Sequence, residues 1–173
     1  MVFKASLDSF TNITTAVISF ILAGILFLPI VFKSENILNY PYILLFIILP
    51  IYFFSFAFRP IKYEITDGKV IINRMLANIK ISFSDIKEIH QINNLSIFST
   101  VRIFASGGFF GYFGIFWNLK YGRMNFYATR RNNALMIISN ENVKFVITPN
   151  EPNVFLEYFL KLNSSKTINI ASE

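Results

Sequence analysis

The chain has 173 residues, of which 54% are hydrophobic and only 15% charged, well under the roughly 25% of a soluble domain. That imbalance points to a part of the chain living in lipid, and the absence of Cys excludes a disulfide framework and a thiolate metal site. Net charge is +6, and the whole excess lies from Arg59 onward, where 14 Lys and Arg face 8 Asp and Glu.

From the N-terminus, Ile13 to Phe32 (ITTAVISFILAGILFLPIVF) carries no charge and has the roughly 20 residues that a bilayer core requires. Lys33 to Asn36 interrupt it, and Ile37 to Phe58 (ILNYPYILLFIILPIYFFSFAF) is again uncharged. Inside lipid the backbone must satisfy its own polar groups, so both runs are expected to be helices. The short connection makes them an antiparallel transmembrane hairpin over residues 1–60, with spans at 13–32 and 37–58. Pro41 falls near the start of the second helix, where its missing N–H costs little, and Pro50 near the middle predicts a kink. A core helix would not reach this length uncharged, and no small-x-small pattern marks a signal-peptide cleavage site. Lys4 on one flank and Arg59, Lys62 and Lys69 on the other outweigh the lone Lys33, which predicts both ends on the cytoplasmic side. The expected location is a bacterial cytoplasmic (inner) membrane, with a soluble domain pressed against it because Arg59 to Lys62 leave almost no linker.

After Arg59 the pattern becomes alternating. IKYEIT (61–66) and KVIINR (69–74) flank Asp67-Gly68, a hairpin signal that predicts a type I′ turn. NIKISF (78–83), IKEIHQIN (86–93), STVRIFAS (99–106), RMNFYAT (123–129), NALMIIS (133–139) and VKFVIT (143–148) continue as strands. Asn150 is a plausible cap and Pro152 a first-turn residue for a helix whose Phe155, Leu156, Phe159, Leu160 and Leu162 share one face. The fold class is therefore α+β and membrane-anchored. About seven strands form an antiparallel β-barrel or sandwich over 61–163, capped by the C-terminal helix and followed by a flexible tail over 164–173.

The segment RIFASGGFFGYFGIFWNLKYGRMNFYAT (102–129) resembles a bacterial pleckstrin-homology-like family, whose members share such a Gly- and aromatic-rich stretch and often carry N-terminal membrane spans. YEITDGKVIINR, DIKEI at Asp85 to Ile89 and ITPNEPNVFLEYF match as well, so the resemblance covers most of Ile61 to Leu162. It implies two packed antiparallel sheets with a C-terminal helix, no cofactor and no enzymatic role, since this fold serves as a platform for lipids, peptides and proteins.

The stretch Ser106 to Gly122 reads as a long connection. It is not a phosphate-binding P-loop, because no Gly-Lys-Ser/Thr ends it. Its aromatics either pack under the barrel, pair with a neighbouring copy, or dip into the membrane interface, where Trp and Tyr are favoured. Arg102, Lys120, Arg123, Arg130 and Arg131 surround it, as a solvated basic face or as a headgroup or acidic-peptide site. The candidate binding residues are Phe109, Phe110, Trp117, Lys120, Arg123, Arg130 and Arg131. His90, the single histidine, has no nucleophile elbow near it and no Cys for a zinc site, so no catalytic or metal-ligating residue is expected. The partners expected are the membrane, crossed twice, with an anionic phospholipid, a protein or peptide, or further copies of the chain; nucleic acid is not expected. The function expected is a non-enzymatic binding module at the membrane surface. The alternative is an oligomeric scaffold or accessory subunit that self-associates through the Gly-aromatic segment.

Overall fold

The computed structural model describes residues 1–32, 40–94, 100–163 and 170–172. A short strand, β1 (Val2–Lys4), precedes two apolar helices, α1 (Ser9–Phe32) and α2 (Tyr40–Ala57). Asp8 caps α1, its Oδ1 accepting the Thr11 N–H at 2.8 Å. Ser19 and Tyr52 hydroxyls meet at 3.1 Å, and one turn nearer the base Thr15 and Phe56 both touch Phe110. α1 therefore rises as α2 descends. Within the described side chains only α1, over Ser9–Phe27, is long and apolar enough to cross a membrane. The described apolar run of α2, Leu45–Ala57, is shorter. Two antiparallel apolar helices thus stand where the two-span hairpin is expected, one of them of spanning length, while the connection, 33–39, lies outside the described residues. Pro50 sits inside α2 without ending it.

β2 (Pro60–Thr66), β3 (Lys69–Arg74) and β4 (Ile79–Ser82) follow as a meander. β1 returns to pair antiparallel with β2, Lys4 opposite Lys62, so the sheet order is β1-β2-β3-β4. The apolar helices are an excursion between two neighbouring strands. The Asp67-Gly68 turn has the expected two-residue loop, but only Gly68 (φ 84) is left-handed, so it is not type I′. Phe83 N–H donates to Gly68 O at 2.8 Å and ties the turn to the start of the next segment.

A 3-10 turn at Phe83–Asp85 leads into β5 (Ile86–Asn94), β6 (Thr100–Gly107), β7 (Tyr112–Asn118), β8 (Gly122–Ala128), β9 (Asn132–Ser139) and β10 (Lys144–Ile147). Helix α3 (Pro152–Leu162) and strand β11 (Ile170–Ser172) complete the chain. The second sheet has seven strands in the order β11-β5-β9-β10-β8-β7-β6. This corrects the expected antiparallel barrel. The sheets do not close, and β10–β8 and β11–β5 pair in parallel. The first parallel pairing follows from the β8–β9 connection. Residues 129–131 step over one strand position, and β10, the hairpin partner of β9, fills the gap. Four Cα–Cα steps reach about 15 Å, enough for the roughly 10 Å between strands two places apart.

Each face of the large sheet carries a core. On one side Tyr63, Ile65, Val70 and Ile72 of the small sheet meet Leu135, Ile137 and Ile147 and the α3 residues Phe155 and Phe159. On the other, Phe116, Met124, Phe126, Met136 and Val146 pack together. β9 is buried on both faces, which is why ALMII reads as an unbroken apolar run. The Tyr63 ring is fully buried, yet its hydroxyl donates to Tyr127 O (2.7 Å) and accepts the Thr148 N–H (3.2 Å). Burial pushes the Tyr63 hydroxyl above the ordinary phenol range, outweighing its bonds to Thr148 and the charge of Arg130.

α3 starts one residue later than its expected cap. Glu151 holds the cap position without a side-chain bond, and Asn150 Oδ1 instead accepts from Ser6 N (3.1 Å) and Ser6 Oγ (2.6 Å). Asn150 pins the segment after β1 to the domain. Of the tail expected to be flexible, 164–169 lie outside the described residues, and Ile170–Ser172 pair with β5.

Candidate functional site

The segment 106–122 is not a long connection. It holds strand β7, hydrogen-bonded between β6 and β8, and a tight turn over 108–111. Gly114 makes this possible. At φ 114 it passes so near β6 that a Cβ would lie 2.4 Å from Phe104 O, beside the register shift between Arg102 and Phe104.

The turn is wedged at the base of the two apolar helices. Gly108 N–H donates to Gly111 O (2.9 Å), and Ser106 Oγ donates to Phe109 O (2.6 Å). Phe110 is left-handed (φ 59), a conformation that costs a bulky residue roughly 1–3 kcal/mol. It is held there by its neighbours. Its N–H donates to Thr15 Oγ1 (3.0 Å), and its ring lies edge-on to Tyr52 (5.1 Å) and Phe56 (5.5 Å). Phe109 stands 5.5 Å from Tyr52. Arg59 closes the wedge, its guanidinium 4.3 Å over Phe56. Phe109 and Phe110 thus fasten the sheet to the helices.

Trp117, Lys120 and Arg123 lie elsewhere. Trp117 projects from the outer face of β7, opposite Val101 and Arg123, and Lys120 sits in the β7–β8 turn with its ammonium 5.3 Å from the Tyr121 ring. Among the described residues this face is bare and, along β6, largely apolar. β6 is the end strand, and its Val101, Ile103 and Phe104 are exposed, Phe104 by 83%. An open groove runs from Phe104 and Phe113 to Phe54 and Phe58 at the end of α2, with Tyr127 and Arg74 along it.

Arg130 and Arg131 belong to a third place. They ride on the crossover between β8 and β9, which Thr148 pins through its Oγ1, an acceptor for Thr129 N–H at 2.8 Å. Here the opposite face of the β6–β8 meander forms a cavity of about 60 Å³ lined by Arg102, Arg130, Arg131, Tyr112, Phe116 and Phe126. Arg130 donates through one Nη to the Thr148 and Pro149 carbonyls, while its Nε is buried with no partner. Arg131 stacks over Phe10 (3.9 Å) in the first turn of α1 and over Tyr112 (5.1 Å). Arg102 lies across Gly107, where a Cβ would come within 2.2 Å of its Nε. Among the described residues no carboxylate lies within 4.0 Å of these three side chains; the ion pairs there are Lys62–Glu64 and His90–Glu88. Asp8, next to the lining residue Tyr112, is engaged by Thr11 N–H and by Tyr112 OH at 3.4 Å. Burial and the Asp8 charge raise the Tyr112 hydroxyl above the usual phenol range, with Arg131 opposing them.

A family model described as a bacterial PH domain matches residues 61–163. The chain belongs to the bacterial PH domain family. No curated protein and no solved structure matches it. The match takes in β2 through α3, so the PH domain includes the Gly-aromatic hairpin and the arginine cavity. β1 lies outside the matched region, although it completes the domain's first sheet. PH domains of this kind are generally binding platforms, with function set by the surface they present. Among the described residues no three His, Asp or Glu gather to hold a metal, and His90 Nε2 simply faces Glu88 Oε2 at 3.3 Å on β5. The candidate residues read from sequence therefore divide into a helix wedge, a bare apolar face and an arginine cavity. Arg102 joins the cavity from 28 residues upstream, and only its basic character hinted at that role.

Proposed function

We propose that this chain is a membrane-anchored, non-enzymatic binding module whose PH domain is held at the bilayer surface by α1 and α2. The observation that carries this reading is the position of the apolar helices between paired strands. The chain leaves the sheet after Lys4 and is back opposite it at Lys62, so α1 begins and α2 ends on the same side, as two spans require. Their surfaces favour lipid. Only 6% of the Ser9–Phe27 window is buried, and Phe20 and Phe46 are 82% and 78% exposed. Leaving such side chains in water costs roughly 1.5–3 kcal/mol each. Lys4, Arg59 and Lys62 at the base fit the cytoplasmic side.

The test uses the natural absence of Cys. The chain should stay with membranes through an alkaline wash. A cysteine at Ser34 should react with an impermeant maleimide on intact cells, and one at Asp67 only after the membrane is opened. Release by the wash, or the opposite labelling, defeats the reading.

One observation favours a second reading, self-assembly. Among the described residues β6 is the last strand of its sheet, with Val101, Ile103 and Phe104 exposed, the kind of edge that pairs with another strand. Cross-linking through a cysteine at Ile103 in native membranes would give a discrete dimer band if copies pair there, and only monomer if they do not.

A further inference from the structure

We propose that the cavity walled by Arg102, Arg130 and Arg131 binds a phosphomonoester group; this rests on, and deepens, the reading of the chain as a membrane-surface module. Three arginines line one small space, and none of them has a carboxylate within 4.0 Å among the described residues. Like charges held together call for an anion between them, and guanidinium groups bond best to oxyanions that accept several N–H groups at once. A carboxylate offers two oxygens, whereas a phosphomonoester offers three terminal ones, one for each arginine. The size agrees. At about 15 Å³ for each water, a 60 Å³ cavity holds about four, comparable with one phosphoryl group.

The arginines are held in position in three different ways. Arg130 is fixed by the Thr148 and Pro149 carbonyls, and its Nε–H is a buried donor still lacking an acceptor. Arg131 is clamped between Phe10 and Tyr112. Arg102 lies along the flat backbone of Gly107. Tyr112, Phe116 and Phe126 give the cavity apolar walls, which strengthen charge-assisted bonds. Asp8 forms no ion pair with any of the three; its oxygens accept from Thr11 N–H and Tyr112 OH instead. Phe10 belongs to the first turn of α1, so the cavity sits where the apolar helix begins, at the depth of lipid headgroups. The phosphoryl group is thus that of an anionic lipid or of a free phosphate ester entering from the same side.

The experiment is calorimetric titration of the full chain in non-ionic detergent with dioctanoyl phosphatidic acid, inorganic phosphate and dioctanoyl phosphatidylcholine. Phosphatidic acid should bind, and Arg102→Gln and Arg131→Gln should each weaken it at least tenfold, whereas Lys87→Gln on β5 stays within twofold. Binding of phosphatidic acid alone assigns the lipid source. Binding of inorganic phosphate with the same Arg102 dependence assigns the free phosphoryl group. Arg130 also supports the crossover, so Arg102→Gln, on an exposed side chain, carries the test, with an unchanged melting temperature as its control. Gly107→Ala should weaken binding by displacing Arg102. The proposal is overturned if neither phosphate probe binds, if phosphatidylcholine binds as tightly as phosphatidic acid, or if Lys87→Gln costs as much as Arg102→Gln. Failure of the membrane reading would appear separately, as release by the alkaline wash.

Discussion

The seven-stranded sheet has two unlike ends. At β5, β9 and β10 protein covers both faces, with the small sheet and α3 on one side and the second core on the other. At β6 and β7 one face is bare, yet Val101, Phe104, Ile115 and Trp117 on it are apolar. A solvated face of a sheet normally alternates to polar residues. The difference teaches that, among the described residues, composition at the bare end is not set by packing against either core. The bilayer beside α2, continuous with the groove from Phe104 to Phe54, is the cover that the proposed function supplies.

The comparison can be broken by substitutions at either end. Phe159→Ala, in the covered core where its ring lies 4.8 Å from Phe83, should cost about 3–5 kcal/mol in denaturant unfolding of the detergent-solubilised chain. Tyr63→Phe should cost about 1–3 kcal/mol, because it strands the Tyr127 carbonyl and the Thr148 N–H. The raised Tyr63 hydroxyl adds a pH signature. Its stabilising effect is complete below the unfolded value near 10.0 and is lost as pH rises above it, so melting temperature should drop in alkali, less steeply in Tyr63→Phe. Phe104→Ser, at the bare end, should change stability by no more than about 0.5 kcal/mol. A large stability loss at Phe104 would mean that protein, and not lipid, covers that face.

Legibility in the sequence followed the same divide. β2 to β5 and β8 to β10 were readable because one covered face imposes a period of two, or two covered faces an unbroken apolar run, between clear turn residues. β7 was hidden. Its glycines imitate a loop, although Gly114 serves a close strand approach, and its outward residues stay apolar, so no alternation marks it. β1 is three residues long and has no period to read. The parallel pairing of β10 with β8 depends on a skipped strand position, which no local pattern encodes. For the site, Arg130 and Arg131 were legible as basic residues at a turn. Their convergence with Arg102 was not, because it depends on the crossover at 129–131 and on the bare backbone of Gly107. Phe109 and Phe110 were noticed for their aromaticity, but the φ of 59 that turns Phe110 toward Tyr52 depends on a helix some 60 residues upstream in sequence.

The pairing of β1 with β2 also governs rotation. A domain hung from a single chain crossing can swivel about it. Here the polypeptide passes between helices and sheet twice, at two adjacent strands about 4.8 Å apart, and the wedge at Phe110 adds a third point of attachment. Three such points prevent spinning. One flank of the domain is kept permanently toward the apolar helices, so the rest of its surface is presented in a fixed orientation relative to them.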